Sequence, residues 1–192
     1  MNVTKPAKYI SYLLIPPVMN LYIFVIYSIN YESTPKSFYG ILVSLLFGLV
    51  LPLIAIIYFR RKGIISNNDA TIKEERYLPY IYAIGFSLCG VIFSSLFGLN
   101  EKIIMLWLIY LLNSLFIIHI NRLWKISAHS MGTSIPLGAL VYFDSIVLPI
   151  TILIFILIAI SRIILNVHTI TQVLAGGMLG FTVSFVLLNY CL

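Results

Sequence analysis

Seven stretches of this chain carry no Asp, Glu, Lys or Arg: Ile10–Ile29, Phe38–Phe59, Pro79–Gly98, Ile103–Asn121, Ser130–Phe143, Ser145–Ser161 and Thr169–Tyr190. Each is a continuous apolar run and not an alternation of apolar and polar positions. That pattern fits membrane helices and excludes the short alternating strands of a membrane barrel. A helix needs roughly 20 apolar residues to cross the hydrocarbon core, and most of these runs approach that length. The fifth run is short, and a start one turn earlier, near Ser127, brings it closer to a full crossing. Pro16, Pro17, Pro52, Pro136 and Pro149 fall inside runs, as bundled membrane helices tolerate. The pattern therefore predicts an all-α, polytopic membrane bundle of six to seven transmembrane helices. It forms a single integral membrane domain over residues 1–192.

Composition agrees: 61% of residues are hydrophobic, 9% are charged and the mean hydropathy is +1.05. So little polar surface cannot coat a soluble domain. The net charge of +6 does not indicate nucleic acid, because no basic, aromatic-interleaved face lies on a water-exposed fold. The cations fall between apolar runs, where they meet lipid headgroups or an anion. Lys5 and Lys8 precede the first run much as in a signal peptide. That run is longer than a signal core and has no small-residue cleavage site after it, so a retained first helix is expected. Cys89 and Cys191 lie in apolar segments and read as packing residues.

The polar residues concentrate in three clusters. One spans Arg60 to Leu78, the second is Arg122-Leu-Trp-Lys-Ile-Ser-Ala-His129, and the third begins at Ser161-Arg162 and reaches His168. Two runs separate each cluster from the next. An even number of crossings returns the chain to the same side, so all three are expected at one membrane surface. Asp144 falls on the other.

Within these clusters, residues 161–172 read Ser-Arg-Ile-Ile-Leu-Asn-Val-His-Thr-Ile-Thr-Gln, residues 126–130 contain Ser127-Ala128-His129, and residues 69–79 contain Lys73-Glu-Glu-Arg76-Tyr-Leu-Pro79. Taken in order, they resemble the three signature motifs of the type 2 phosphatidic acid phosphatase superfamily of membrane lipid phosphatases: Lys-x6-Arg-Pro, Pro-Ser-Gly-His and Ser-Arg-x5-His-x3-Asp. The resemblance covers most of the chain, since the helices between the motifs also fit. It implies that His168 attacks phosphorus to form a phospho-histidine and that His129 protonates the leaving oxygen. Arg162 and Arg76 then hold the phosphate oxygens, aided by Lys73, by Ser127 and by backbone amides near Ala128. Chemistry suits these roles. Phosphoryl transfer is largely positioning and charge stabilisation, arginine's planar fork grips two oxygens, and imidazole both attacks and donates protons near neutral pH. A helix beginning near Ser127 would also aim its free N–H groups at an anion.

The chain departs from the pattern in named places. Gln172 stands where the family has the Asp that orients the nucleophilic histidine. A glutamine carbonyl accepts the same hydrogen bond without the charge, so a working but slower or differently tuned enzyme is expected. Ala128 replaces Gly, Ile126 replaces Pro, and Asp69 stands where the first motif has lysine, with Lys73 one helical turn before Arg76. His119 reads as a hydrogen-bonding residue of its helix, Arg60, Arg61 and Lys62 as topology or headgroup contacts, and Gly176-x3-Gly180 as a helix-packing face.

The expectation is thus a metal-independent phosphatase without a cofactor, acting on a lipid phosphate or a polyprenyl diphosphate in the cytoplasmic membrane of a bacterium. Several carboxylates at regular spacing would mark a metal site, and only Asp69, Glu74 and Glu75 lie on the motif side. The alternative is a catalytically weak or inactive relative that binds lipid or scaffolds partners. Of the twelve Lys and Arg, all but Lys36 and Lys102 fall on the motif side. The positive-inside rule then puts the site in the cytoplasm, whereas the resemblance implies the opposite face. Which lipid is the substrate, and the oligomeric state, stay open.

Overall fold

The computed structural model describes residues 4–143 and 146–191. Asp144 therefore lies outside the described residues, among which no strand occurs. The helices are α1 (Thr4–Leu13), α2 (Pro16–Tyr31), α3 (Thr34–Val43), a π-helical segment (Ser44–Val50), α4 (Leu51–Arg61), a 3-10 turn (Glu74–Arg76), α5 (Tyr77–Leu96), α6 (Glu101–Leu123), α7 (Ala128–Phe143), α8 (Leu148–Ile164) and α9 (Ile170–Tyr190).

Among the described residues, four helical stretches are long and apolar enough to cross a membrane: Thr34–Arg61, Glu74–Leu96, Glu101–Leu123 and Ile170–Tyr190. The first apolar run, expected as one helix, is instead broken into α1 and α2, which meet at 49°. Pro16 and Pro17 explain the break, because neither ring nitrogen can donate to the preceding turn. Counted as one bent span, the pair makes five. The remaining runs form α7, with 16 residues, and α8, with 17, each shorter than the roughly 20 residues of an average crossing. Pro149 sits in the first turn of α8, where a missing N–H costs nothing; Pro136 is interior to α7, and Pro52 follows the π-helical segment within the continuous stretch Thr34–Arg61.

The chain divides into two compact units, Met1–Met19 with Ile126–Leu192, and Asn20–Lys125. In the first, α7 and α9 run parallel, with the start of α7 beside the first two turns of α9. The backbone of Ser127, just before α7, abuts Gly176; further along, Met131 abuts Gly180 and Gly138 abuts Phe181. A Cβ at Gly176 would stand 2.4 Å from the Ser127 carbonyl oxygen, and one at Gly180 would stand 2.4 Å from the Met131 carbonyl. Only hydrogen fits at these crossings, so the Gly176-x3-Gly180 face packs a neighbouring helix, as small-residue stripes in membranes do. The α8 helix runs antiparallel to α9, with the Phe155 ring against Gly177, and α1 packs on α8.

In the second unit, the indole of Trp107 on α6 covers Gly90 of α5 and packs at a 35° tilt against the Phe24 ring of α2, their centroids 4.3 Å apart. The Asn100 N–H donates to the Glu32 carboxylate, and the Lys102 ammonium sits 4.3 Å over the Tyr31 ring, so α2 and α6 are antiparallel. Beneath the Arg60–Leu78 loop, Phe59, Ile65 and Ala70 form a small apolar core with Ala55.

Candidate functional site

In the first unit, the chain turns make the geometry. The α8 helix ends in a Schellman motif: Asn166 takes a left-handed φ of 53°, its N–H donates to the Ile163 carbonyl at 2.9 Å, and the Val167 N–H donates to the Arg162 carbonyl at 3.3 Å. Asparagine is among the few residues that enter this conformation readily. The reversal brings His168 back to the level of Arg162 and delivers Thr169 as the N-cap of α9. Thr169 and Gln172 then close a capping box: the Thr169 N–H donates to Gln172 Oε1 at 3.1 Å, and the Gln172 N–H donates to Thr169 Oγ1 at 3.3 Å.

The same Gln172 Oε1 lies 3.1 Å from Nδ1 of His168. Because Thr169 N–H can only donate, the atom it meets must be the amide oxygen. His168 Nδ1, facing that oxygen, therefore carries a proton, which in the neutral ring leaves the lone pair on Nε2. Gln172 thus sets the tautomer of His168 while capping the helix.

The second motif is tied directly to the third. The Ser127 N–H donates to the Gln172 main-chain carbonyl at 3.0 Å. Ser127 also caps α7, its Oγ accepting the Ser130 N–H at 3.2 Å, so α7 begins at Ala128, the earlier start that the short fifth run called for. His129, in the first turn of α7, is buried with 7% of its surface exposed, and His168 is buried with 6%. Both histidines, the end of α8 with Arg162, and the N-termini of the parallel α7 and α9 therefore occupy one end of this unit. Two helix N-termini at one end direct free N–H groups and partial positive charge to that side. Arg162 is fully buried and donates from Nη1 to the hydroxyl of Ser11 on α1.

The first motif lies in the other unit. There, Arg76 is buried and its Nε donates to the Ala70 carbonyl at 2.7 Å. Lys73 Nζ donates to the Arg122 carbonyl at 3.2 Å. Glu75 accepts from the Ser66 N–H and hydroxyl. His119 is exposed, with Nδ1 2.7 Å from the Leu115 carbonyl, as its local reading requires. Among the described residues, no three His, Cys, Asp or Glu side chains gather where a metal ion could be held.

Sequence reasoning passed over Ser11, Asn166 and Thr169. Ser11 left no signal, being one serine in an apolar run 151 positions from Arg162. Asn166 just past a helix end and Thr-x-x-Gln at a helix start are both readable patterns. Comparison of the chain with protein-family models, with curated proteins and with solved structures finds no match in any of the three.

Proposed function

We propose that this chain is an integral membrane phosphatase that removes phosphate from a lipid phosphate or a polyprenyl diphosphate through a phospho-histidine. One observation supports this above the others: the Ser127–Gln172 backbone bond, which sets the segment bearing His129 against the segment bearing His168. On this reading, Nε2 of His168 attacks phosphorus while the bond from phosphorus to the lipid oxygen breaks. His129 gives that oxygen a proton. Water, losing a proton to His129, then attacks phosphorus; the O–P bond forms as the P–Nε2 bond breaks, releasing phosphate and restoring His168. Gln172 accepts the hydrogen bond from Nδ1–H throughout, and Arg162 with the two helix N-termini bears the phosphoryl charge. The parts proposed for Arg76 and Lys73 rest on the sequence motif alone. Six or seven membrane crossings, a bacterial cytoplasmic membrane and a site without metal or cofactor complete the proposal.

A lipid-binding or scaffolding protein of weak or no activity is the second reading. It draws on Arg162, whose hydrogen bond to Ser11 employs the guanidinium within the protein. Phosphate release from a panel of lipid phosphates by purified protein in detergent separates the two. The enzyme reading expects turnover that orthovanadate inhibits and His168→Ala abolishes. Equal release by wild type and His168→Ala would refute it.

A further inference from the structure

In this conformation Arg162 cannot reach a phosphoryl group. None of its surface is exposed, and its Nη1 donates to the hydroxyl of Ser11 on α1, itself 1% exposed. On that flank only one layer of chain lies outside the guanidinium. The outer face of α1, with Lys5, Lys8, Tyr9, Tyr12 and Leu13, is exposed. A single helix of ten residues therefore separates Arg162 from the surroundings of the unit on the side toward which Nη1 points.

That helix is lightly held. Its buried residues are Ala7 and Ser11, one turn apart and both small, and its packing is chiefly on α8. Burying a methyl group contributes little, so the charge-assisted bond from Arg162 is a large part of the tie. The C-terminal end of α1 is built to bend. Ile15 lies between two helices, and Pro16 and Pro17 have no N–H with which to bond the turn before them. The far side of the break is fixed: a Cβ on Gly132 of α7 would stand 2.8 Å from Cβ of Pro16, so that ring is seated closely on α7. The helix can pivot about Leu14 and Ile15 while Pro16 keeps its seat.

We propose that α1 is a lid over Arg162, closed here by Ser11 and opened by a swing about the break that bares the guanidinium to a phosphate anion. Ser11 is a positioning residue, acting through Arg162. Lysines and tyrosines on the outer face suit the opened helix to the headgroup layer of the bilayer. The identity of the anion rests on the phosphatase reading; the movement of the lid is read without turnover.

Phenylglyoxal modifies arginines that solvent reaches, and peptide mass spectrometry of the full chain in detergent follows each arginine separately. Exposed Arg122 calibrates the reagent, and Arg76, 3% exposed, reports global unfolding. In wild type, Arg162 should react at least about tenfold more slowly than Arg122. In Ser11→Ala its rate should rise about tenfold or more, the worth of a hydrogen bond to a charged group, with Arg76 unchanged. Ser127→Ala, which weakens the same unit at the cap of α7, should leave Arg162 slow. Inorganic phosphate should slow the modification of Arg162 in Ser11→Ala and leave Arg122 unaffected. Equal rates at Arg162 in wild type and Ser11→Ala would overturn the lid, and turnover that depends on His168 would still stand. An acceleration in Ser127→Ala as large as in Ser11→Ala would assign the exposure to unfolding and overturn it too. Arg162 bared in Ser11→Ala but not shielded by phosphate would overturn its role as the anion's receiver, and with it the part of Arg162 in the phosphatase reading.

Discussion

Gln172 performs two tasks with one oxygen, and substitutions can separate them. In Gln172→Leu, the Thr169 N–H loses the acceptor it meets at 3.1 Å, and so does Nδ1 of His168. The structural loss is one half of a capping box, about 0.5–1 kcal/mol. The catalytic loss is larger. When His168 takes the phosphoryl group its ring becomes cationic, and a hydrogen bond to a charged donor contributes about 1.5–3 kcal/mol. At about 1.4 kcal/mol per factor of ten, turnover should fall roughly 10- to 150-fold. Gln172→Glu retains both acceptor positions, adds a charge that stabilises the cationic ring, and places that charge in the first turn of α9, worth about 0.3–1 kcal/mol. It should melt slightly higher and turn over at least as fast as wild type, and Gln172→Asp should also stay active. The assay is phosphate release from a lipid phosphate in detergent, run beside thermal unfolding of each variant. If Gln172→Leu melts lower yet hydrolyses at the wild-type rate, Gln172 is only a cap, and its proposed orienting role is wrong.

Three further outcomes follow from the same geometry. Gly176→Ala puts a methyl group 2.4 Å from the Ser127 carbonyl, against backbone that cannot swing aside. It should cost about 1–3 kcal/mol and lower the melting temperature by several degrees, with activity falling as α7 and α9 are forced apart. Asn166→Val, forced into a left-handed φ, should lose about 1–2 kcal/mol in thermal unfolding, whereas Asn166→Gly should unfold like wild type. Ser127→Ala removes the cap of α7 and should lower stability by about 1 kcal/mol, read by the same melts.

The helices were legible in the chain because apolar runs bounded by charge have few other ways to satisfy their backbone. Of their number as full crossings, the structure shows four or five stretches of sufficient length. Charge-free length counts residues on either side of a break alike, so it does not reveal the Pro16-Pro17 bend or the lengths of α7 and α8. The meeting of the second and third motifs was foreseeable from parity, since α8 must return the chain. Its tightness depends on Gly176 at one backbone crossing, which the spacing suggested only as a packing face. The double duty of Gln172 was written in Thr169-x-x-Gln172, although comparison with an expected Asp directed attention to what the residue lacks. The Ser11 contact to Arg162 joins positions far apart in sequence through an undistinguished serine, and no local pattern announces such a pair.

The central claim is that Nε2 of His168 becomes covalently attached to phosphorus. Wild-type protein incubated with a lipid phosphate carrying radioactive phosphorus, then quenched in alkali, should yield an acid-labile phospho-enzyme. Its label should map to the peptide containing His168, with none in His168→Ala. Label on another residue, or undiminished phosphate release by His168→Ala, would contradict the account.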